Sequence, residues 1–186
     1  MSFYNVAIKT VHVILRVFWL FKIKGKENVP QDGAFLLCSN HRSFMDPVLI
    51  AAGSKRQLTF MAKDELFSVP VLGRLIKALG AFPIKRGKGD AAAVMATLKI
   101  LKHGGATLIF PEGTRMKKGE RKQINPGIIR LAMQSNVPIL PAYVNGNSVT
   151  YGTPISYDEF EDRMKDNDAM QRLADELIDT IYSLGD

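Results

Sequence analysis

The stretch Asp90–Phe110, DAAAVMATLKILKHGGATLIF, decides the fold class. Asp90–Lys102 repeats apolar side chains at helical spacing and contains neither Gly nor Pro, so it predicts a helix. His103-Gly104-Gly105 closes it, because glycine readily adopts the left-handed backbone at a helix C-terminus. Ala106–Phe110 follows as a short apolar run, the pattern of a strand buried on both faces of a sheet. The same alternation extends outward. Upstream, Phe35–Ser39, Gln57–Ala62 and Phe82–Ile84 read as strands, and Pro47–Ala52 and Val71–Leu79 as helices. Downstream, Gly127–Gln134 reads as a helix, Pro138–Val144 as a strand, and Asp158–Leu184 as one closing amphipathic helix. Strands alternating with helices imply an α/β fold with a mixed, partly parallel sheet flanked by helices. No repeat, linker or low-complexity run divides the 186 residues, so a single domain over 1–186 is expected.

Composition agrees with that reading. A 46% hydrophobic content excludes a disordered chain, and only 15 Gly and 9 Pro exclude a collagen-like one. One cysteine, Cys38, excludes an intramolecular disulfide and any metal site built on paired thiolates. The net charge of +7 is unevenly spread: residues 1–130 hold 22 of the 25 basic side chains, and 131–186 hold most of the acidic ones. A basic body implies an anionic partner, whether nucleic acid, phosphorylated substrate or membrane surface. Neither a nucleic-acid-binding motif nor aromatics interleaved with a basic stretch is present, so nucleic acid is not expected.

The N-terminus, MSFYNVAIKTVHVILRVFWLFKI (1–23), reads as one helix. It has no basic n-region or small-residue cleavage site, which argues against a signal peptide. Lys9 and Arg16 would each cost about 2.5–3.5 kcal/mol near a bilayer centre, which argues against a span. At about 100° per residue, Ser2, Asn5, Lys9, His12 and Arg16 form a narrow polar stripe opposite Phe3, Val11, Ile14, Phe18 and Phe21. That pattern fits an amphipathic helix lying in a membrane interface, and it also fits a helix packed on the core. The expected division is a membrane-docking helix over 1–23 and an α/β body over 24–186.

In such sheets, functional residues gather in loops beyond the C-terminal ends of strands. Ser39–Pro47, SNHRSFMDP, places His41 and Asp46 in a His-x4-Asp spacing. A carboxylate on one imidazole nitrogen fixes the tautomer and leaves the other nitrogen as a base. The pairing requires a loop, because residues five apart on a helix diverge by about 140°. Asp46 ahead of Pro47 is also a helix N-cap signature. His12 belongs to the N-terminal stripe, and His103 to a helix C-terminus. Phe110–Arg115, FPEGTR, supplies a flexible glycine, a threonine hydroxyl and the planar fork of Arg115, which suits phosphate. Taken alone it also reads as an exposed turn. Gly80–Lys88, GAFPIKRGK, sets three cations around a turn, which alone reads as a solvated charge run. Cys38, three residues before His41, keeps a cysteine–histidine thioesterase or acyl-enzyme open as an alternative. In an apolar strand, a lone cysteine is otherwise a small buried hydrophobe.

Four blocks, in order, resemble the glycerolipid acyltransferase family that includes the 1-acyl-sn-glycerol-3-phosphate acyltransferases. They are NHRSFMD (Asn40–Asp46), GAFPIKR (Gly80–Arg86), FPEGTR (Phe110–Arg115) and VPILPAYV (Val137–Val144), and the resemblance runs from about residue 20 to 155. It implies transfer of a fatty acyl group from acyl-carrier protein or acyl-CoA to the 2-hydroxyl of lysophosphatidic acid, giving phosphatidic acid in phospholipid synthesis. Another lysolipid or glycerol-3-phosphate is the alternative acceptor within the family. The resemblance further implies His41 as general base, Asp46 as its orienting partner, and an acceptor site built from Arg86, Glu112, Gly113, Thr114 and Arg115, with Pro141 supporting the pocket. A carboxylate beside a phosphate is repulsive, so Glu112 is expected to order its loop and bond an acceptor hydroxyl while the arginines take the phosphate. No metal or other cofactor is implied. The implied setting is an anionic membrane surface, with peripheral or monotopic attachment at the cytoplasmic face. A non-catalytic membrane-binding module remains the other alternative. Lys85 departs from the family pattern, where many relatives carry an acidic residue, as does Asn125-Pro126-Gly127 after FPEGTR.

Overall fold

A computed structural model of the chain describes residues 8, 13, 20–84, 89–117, 119–164 and 168–186. Its strands are β1 (Lys22–Lys24), β2 (Phe35–Ser39), β3 (Leu58–Lys63), β4 (Ala81–Ile84), β5 (Ala106–Ile109), β6 (Ile139–Asn145) and β7 (Ser148–Tyr151). They form one sheet in the order β1-β7-β6-β2-β5-β3-β4. Pairing is parallel from β6 through β2, β5 and β3 to β4. β7 returns antiparallel from β6, and β1 pairs parallel with β7. The helices are α1 (Asp46–Ser54), α2 (Asp64–Phe67), α3 (Leu72–Ala78), α4 (Gly89–Lys102), α5 (Gly127–Ser135), α6 (Tyr157–Glu161) and α7 (Ala169–Ser183).

β2 shows why the sheet lies in the middle. All five residues of its FLLCS sequence are buried. Phe35 and Leu37 join one core with α1, Ile76 and Leu79, while Leu36 and Cys38 join a second core with α5 and α7. Successive strand side chains point to opposite faces, so an unbroken apolar run requires a helical layer on each side. Each such side chain contributes about 1.5–3 kcal/mol when fully buried. α4 and β5 occur as the sequence predicts. Gly104 (φ 76°) donates to Leu101 O and Gly105 to Ile100 O, both at 3.0 Å, which closes α4 in a Schellman motif.

Four sequence expectations are corrected. The N-terminal helix does not reach residue 23: Phe21 is buried outside any helix, and Lys22–Lys24 is a strand registered on Ser148–Thr150. Lys-Ile-Lys alternates exposed and half-buried, as an edge strand does. Ile8 and Val13 are helical, and apart from Phe21 the residues of the polar and apolar stripes lie outside the described residues. β7 was absent from the sequence reading, although Gly146-Asn147 forms the two-residue turn that pairs Asn145 with Ser148. α3 is preceded by the short α2. The closing helix is two helices. Ser156 and Glu159 form a capping box that starts α6, and bonds from Arg163 N–H to Phe160 O and Met164 N–H to Glu161 O wind it up before α7.

Gly80, the first residue of the GAFPIKR block, has a reason within the fold. Its φ is 89°, and a Cβ there would sit 2.3 Å from the Leu58 carbonyl oxygen. Gly80→Ala is therefore expected to cost at least about 1–3 kcal/mol, seen as a drop in Tm of roughly 2–12 °C. An unchanged melting curve would contradict this role.

Candidate active site

β2 and β5 are parallel neighbours, with Cys38 in register with Ile109. The loops that follow them, Asn40–Met45 and Phe110–Met116, therefore leave the sheet side by side. Asn40 anchors the first loop. It is fully buried, its Nδ2 donates to Val144 O (3.0 Å), and its Oδ1 accepts from Val144 N–H (2.7 Å), which extends the β2–β6 ladder with a side chain. Asp46 then turns the chain. Its Oδ2 accepts from Arg42 N–H (2.6 Å), Ser43 N–H (2.7 Å) and His41 Nδ1 (2.9 Å). Asp46 does not act as the N-cap of α1. Met45 holds that position without a side-chain bond, because the Asp46 carboxylate points back into the loop.

The His41 side chain keeps 18% of its surface exposed, and that of Asp46 only 4%. The His41 ring stacks on Phe110 with centroids 4.0 Å apart and planes inclined by 19°. A carboxylate facing Nδ1 places the proton of the neutral imidazole on Nδ1, so Nε2 presents its lone pair. Such a pair can take a proton from an approaching hydroxyl. His103, by contrast, sets Nδ1 2.7 Å from Lys99 O at the end of α4, a helix-terminus contact.

The second loop divides its residues between inside and outside. Phe110-Pro111-Glu112-Gly113 is a turn closed by Gly113 N–H to Phe110 O at 3.0 Å, with Pro111 and Gly113 (φ 69°) at favoured turn positions. Gly113, Thr114 and Arg115 are exposed. The Arg115 guanidinium lies 3.6 Å over the ring of Phe44, a cation–π contact that holds the fork at the surface beside the first loop. Glu112 departs from expectation. It is 2% exposed, its Oε2 accepts from His41 N–H (2.9 Å), and its Oε1 accepts from the Tyr182 hydroxyl (2.5 Å). The ordering of the loop is visible in these bonds, but both carboxylate oxygens are taken by the chain itself, so the expected bond to an acceptor hydroxyl is not supported. Met116 N–H donates to His41 O at 2.8 Å, so both backbone groups of His41 are bound to the second loop.

The other candidates separate clearly. Arg86 lies outside the described residues. Pro141 is buried inside β6 in register with Cys38, where it acts on sheet packing. Cys38 is wholly buried among apolar side chains, and burial pushes its thiol well above the ordinary cysteine range, the opposite of what a nucleophile needs. A cleft of about 420 Å³ opens beside the His–Asp pair, walled by Arg42, Met45, Leu49 and Val144. Among the described residues, no group of three or more His, Cys, Asp or Glu could hold a metal ion. Sequence reasoning missed Tyr182 and passed over Arg42. Arg42 stands inside the first block and sets its guanidinium 5.5 Å from the Tyr143 ring and 5.8 Å from the Tyr182 ring. The only sequence signal for Tyr182 is a hydroxyl-bearing aromatic on the buried face of the last helix.

Comparison with known proteins bears on this geometry. Residues 20–145 match the family model described as Acyltransferase. Over 146 residues the chain is 31% identical to the 1-acyl-sn-glycerol-3-phosphate acyltransferase of Bacillus subtilis, covering 78% of this chain and 72% of that protein. Over 141 residues it is 34% identical to the protein of the same name from Streptococcus pneumoniae, covering 71% of this chain but about half (52%) of that one. In fold it is similar to the crystal structure of the 1-acyl-sn-glycerophosphate (LPA) acyltransferase PlsC from Thermotoga maritima, with a TM-score of 0.73, 21% identity, and coverage of 98% of this chain and 80% of that one. Sequence similarity that takes in both loops, carried on the same sheet, means that this chain belongs to the acyltransferase family.

Proposed function

We propose that this protein transfers a fatty acyl group from acyl-carrier protein or acyl-CoA to the 2-hydroxyl of 1-acyl-glycerol-3-phosphate, giving phosphatidic acid. The observation that carries the reading is the 2.9 Å contact between His41 Nδ1 and the buried carboxylate of Asp46, at the mouth of a loop that exposes Arg115. The names of the bacterial relatives support the acceptor. His41 Nε2 removes the hydroxyl proton as the acceptor oxygen attacks the thioester carbonyl. The C–O bond forms, the C–S bond breaks, and the imidazolium returns the proton to the leaving thiolate. A thioester is already activated, so this chemistry calls on no cofactor. Arg115, together with Arg86, is assigned to the acceptor phosphate, where guanidinium forks bind oxygen pairs. Gly113 and Thr114 shape that mouth, and Glu112 is assigned to loop order alone.

In this reading the acceptor reaches the site from an anionic membrane, with the protein attached peripherally or monotopically at the cytoplasmic face. The positive charge of the first 130 residues supports this. So does an apolar patch: β3 ends at the same edge of the sheet as β2 and β5, and the chain beyond it exposes Val69, Val71, Leu72 and Leu75. Val71 is 79% exposed. A patch of this kind beside the site suits contact with lipid. Among the described residues, no helix is long and apolar enough to cross a membrane.

Thiol release from an acyl thioester, with and without lysophosphatidic acid, tests the chemistry. Acceptor-dependent release is expected, falling about 10²–10⁴-fold in a folded His41→Ala variant, while Cys38→Ala keeps nearly full activity. Release without acceptor, abolished by Cys38→Ala, would instead establish a thioesterase. For the membrane edge, a Val71→Glu, Leu75→Glu double variant is expected to bind vesicles containing phosphatidylglycerol severalfold more weakly. Equal binding by the two proteins would remove that patch from the account.

A further inference from the structure

The family match ends at Asn145, yet the site is also held from α7, far beyond that point. We infer that Tyr182 is a positioning residue for acyl transfer: its hydroxyl holds Glu112, and Glu112 holds the backbone of His41. The two bonds run in series, 2.5 Å from the Tyr182 hydroxyl to Glu112 Oε1 and 2.9 Å from His41 N–H to Glu112 Oε2. A hydroxyl facing a carboxylate at that distance makes one of the stronger hydrogen bonds in proteins. Glu112 is buried, so loss of one donor leaves an oxygen lone pair neither bonded nor hydrated. The carboxylate then has reason to turn toward solvent, and turning releases His41 N–H.

The hydroxyl is not needed to place the ring. Tyr182 sits in the last turn of α7, in one buried cluster with Ile178 and Ile181, and meets Tyr143 edge-on with centroids 5.9 Å apart. A phenylalanine would fill the same space. The oxygen adds the bond to Glu112, a longer one, 3.4 Å, to Glu120 O, and an interaction with the Arg42 side chain. Burial first, and then the Glu112 carboxylate, push the hydroxyl up to about 12, so it remains a donor throughout the physiological range. Arg42 and Arg121 set guanidinium groups 5.8 and 4.6 Å from the same ring. Arg42 adjoins His41, so α7 touches the loop of the base directly as well as through Glu112.

The consequence is geometric. His41 gives its N–H to Glu112 and its carbonyl to Met116, and these bonds set the base against the loop that presents Arg115. Tyr182 locks one of the two. Misplacing a base by about 1 Å can cost on the order of 10²-fold, so partial loosening is expected mainly in kcat.

Tyr182→Phe, Glu112→Ala and the double variant test this, and the kinetic arm rests on the acyl-transfer reading above. Tyr182→Phe is expected to lower kcat roughly 10-fold, with KM for the thioester within about twofold and a Tm lowered by roughly 2–12 °C, as loss of one buried bond implies. The double variant is expected to be no slower than Glu112→Ala, because the two residues act as one chain. Amide hydrogen exchange supplies a readout that needs no turnover: exchange at His41 should quicken on the order of 10-fold in Tyr182→Phe. Unchanged kcat, multiplying losses in the double variant, or unchanged exchange at His41 would each overturn the inference. A native protein that acylates no glycerophosphate would overturn the acyl-transfer reading instead, and exchange at His41 would still decide the positioning role.

Discussion

Asp46 Oδ2 takes three hydrogens at once, from the backbone of Arg42, the backbone of Ser43 and the His41 ring. Hydrogen bonds to a charged group contribute roughly 1.5–3 kcal/mol each, which together offset much of the entropy cost of ordering the short loop that makes them. The carboxylate also sits in the first turn of α1, where the helix dipole favours negative charge. One oxygen thus shapes the loop, chooses the histidine tautomer and draws the ring inward, so that Nε2 rather than Nδ1 is available. The helix start gives up its side-chain cap in exchange. Every other feature of the site is placed relative to this turn.

The electrostatics follow from where the acids point. Both carboxylates of the site, Asp46 and Glu112, are buried and turned into the protein, where backbone N–H groups, the His41 ring and the Tyr182 hydroxyl satisfy them. Arg115 stays at the surface, held by the Phe44 ring rather than by an acid. An ion pair would have spent part of its charge on a neighbour, whereas an aromatic face positions the guanidinium and leaves its hydrogen-bonding edges free. An anionic ligand entering this mouth meets an exposed cation, while both acids are already satisfied by the protein. Acidic residues in the motif are thereby reconciled with a phosphate-bearing substrate.

The α/β class was legible because β2 and β5 are apolar on both faces and α4 ends on a pair of glycines, all local signals. The spacing of His41 and Asp46 was legible for the same reason, since five residues in a loop suffice to close the contact. β1 was not, because Lys22–Lys24 becomes a strand only by pairing with Ser148–Thr150, a partner more than a hundred residues away. The break between α6 and α7 was hidden within a sequence that keeps helical composition throughout. The inward turn of Glu112 depends on Tyr182, 70 residues further on. No local pattern could have announced that. Two of these three features rest on partners distant in the chain, where the local context fits another role.

The same packing bears on whether an enzyme-bound acyl group is needed. Close to His41 in sequence, Cys38, Ser39 and Ser43 carry nucleophilic atoms. Cys38 is sealed within β2, with a thiol that burial keeps protonated. Ser39 is buried and donates to Asn40 Oδ1 at 3.3 Å, while Ser43 Oγ accepts from Met45 N–H at 3.1 Å. Among the described residues, none of these donates to His41. A nucleophile that is to be activated must stand within hydrogen-bond reach of its base, and here each is committed to the fold. The lone pair on Nε2 is left to a hydroxyl arriving from outside, which favours direct attack on the thioester by the acceptor. In the proposed reaction one barrier is lowered by the base together with the fixed placement of the two loops.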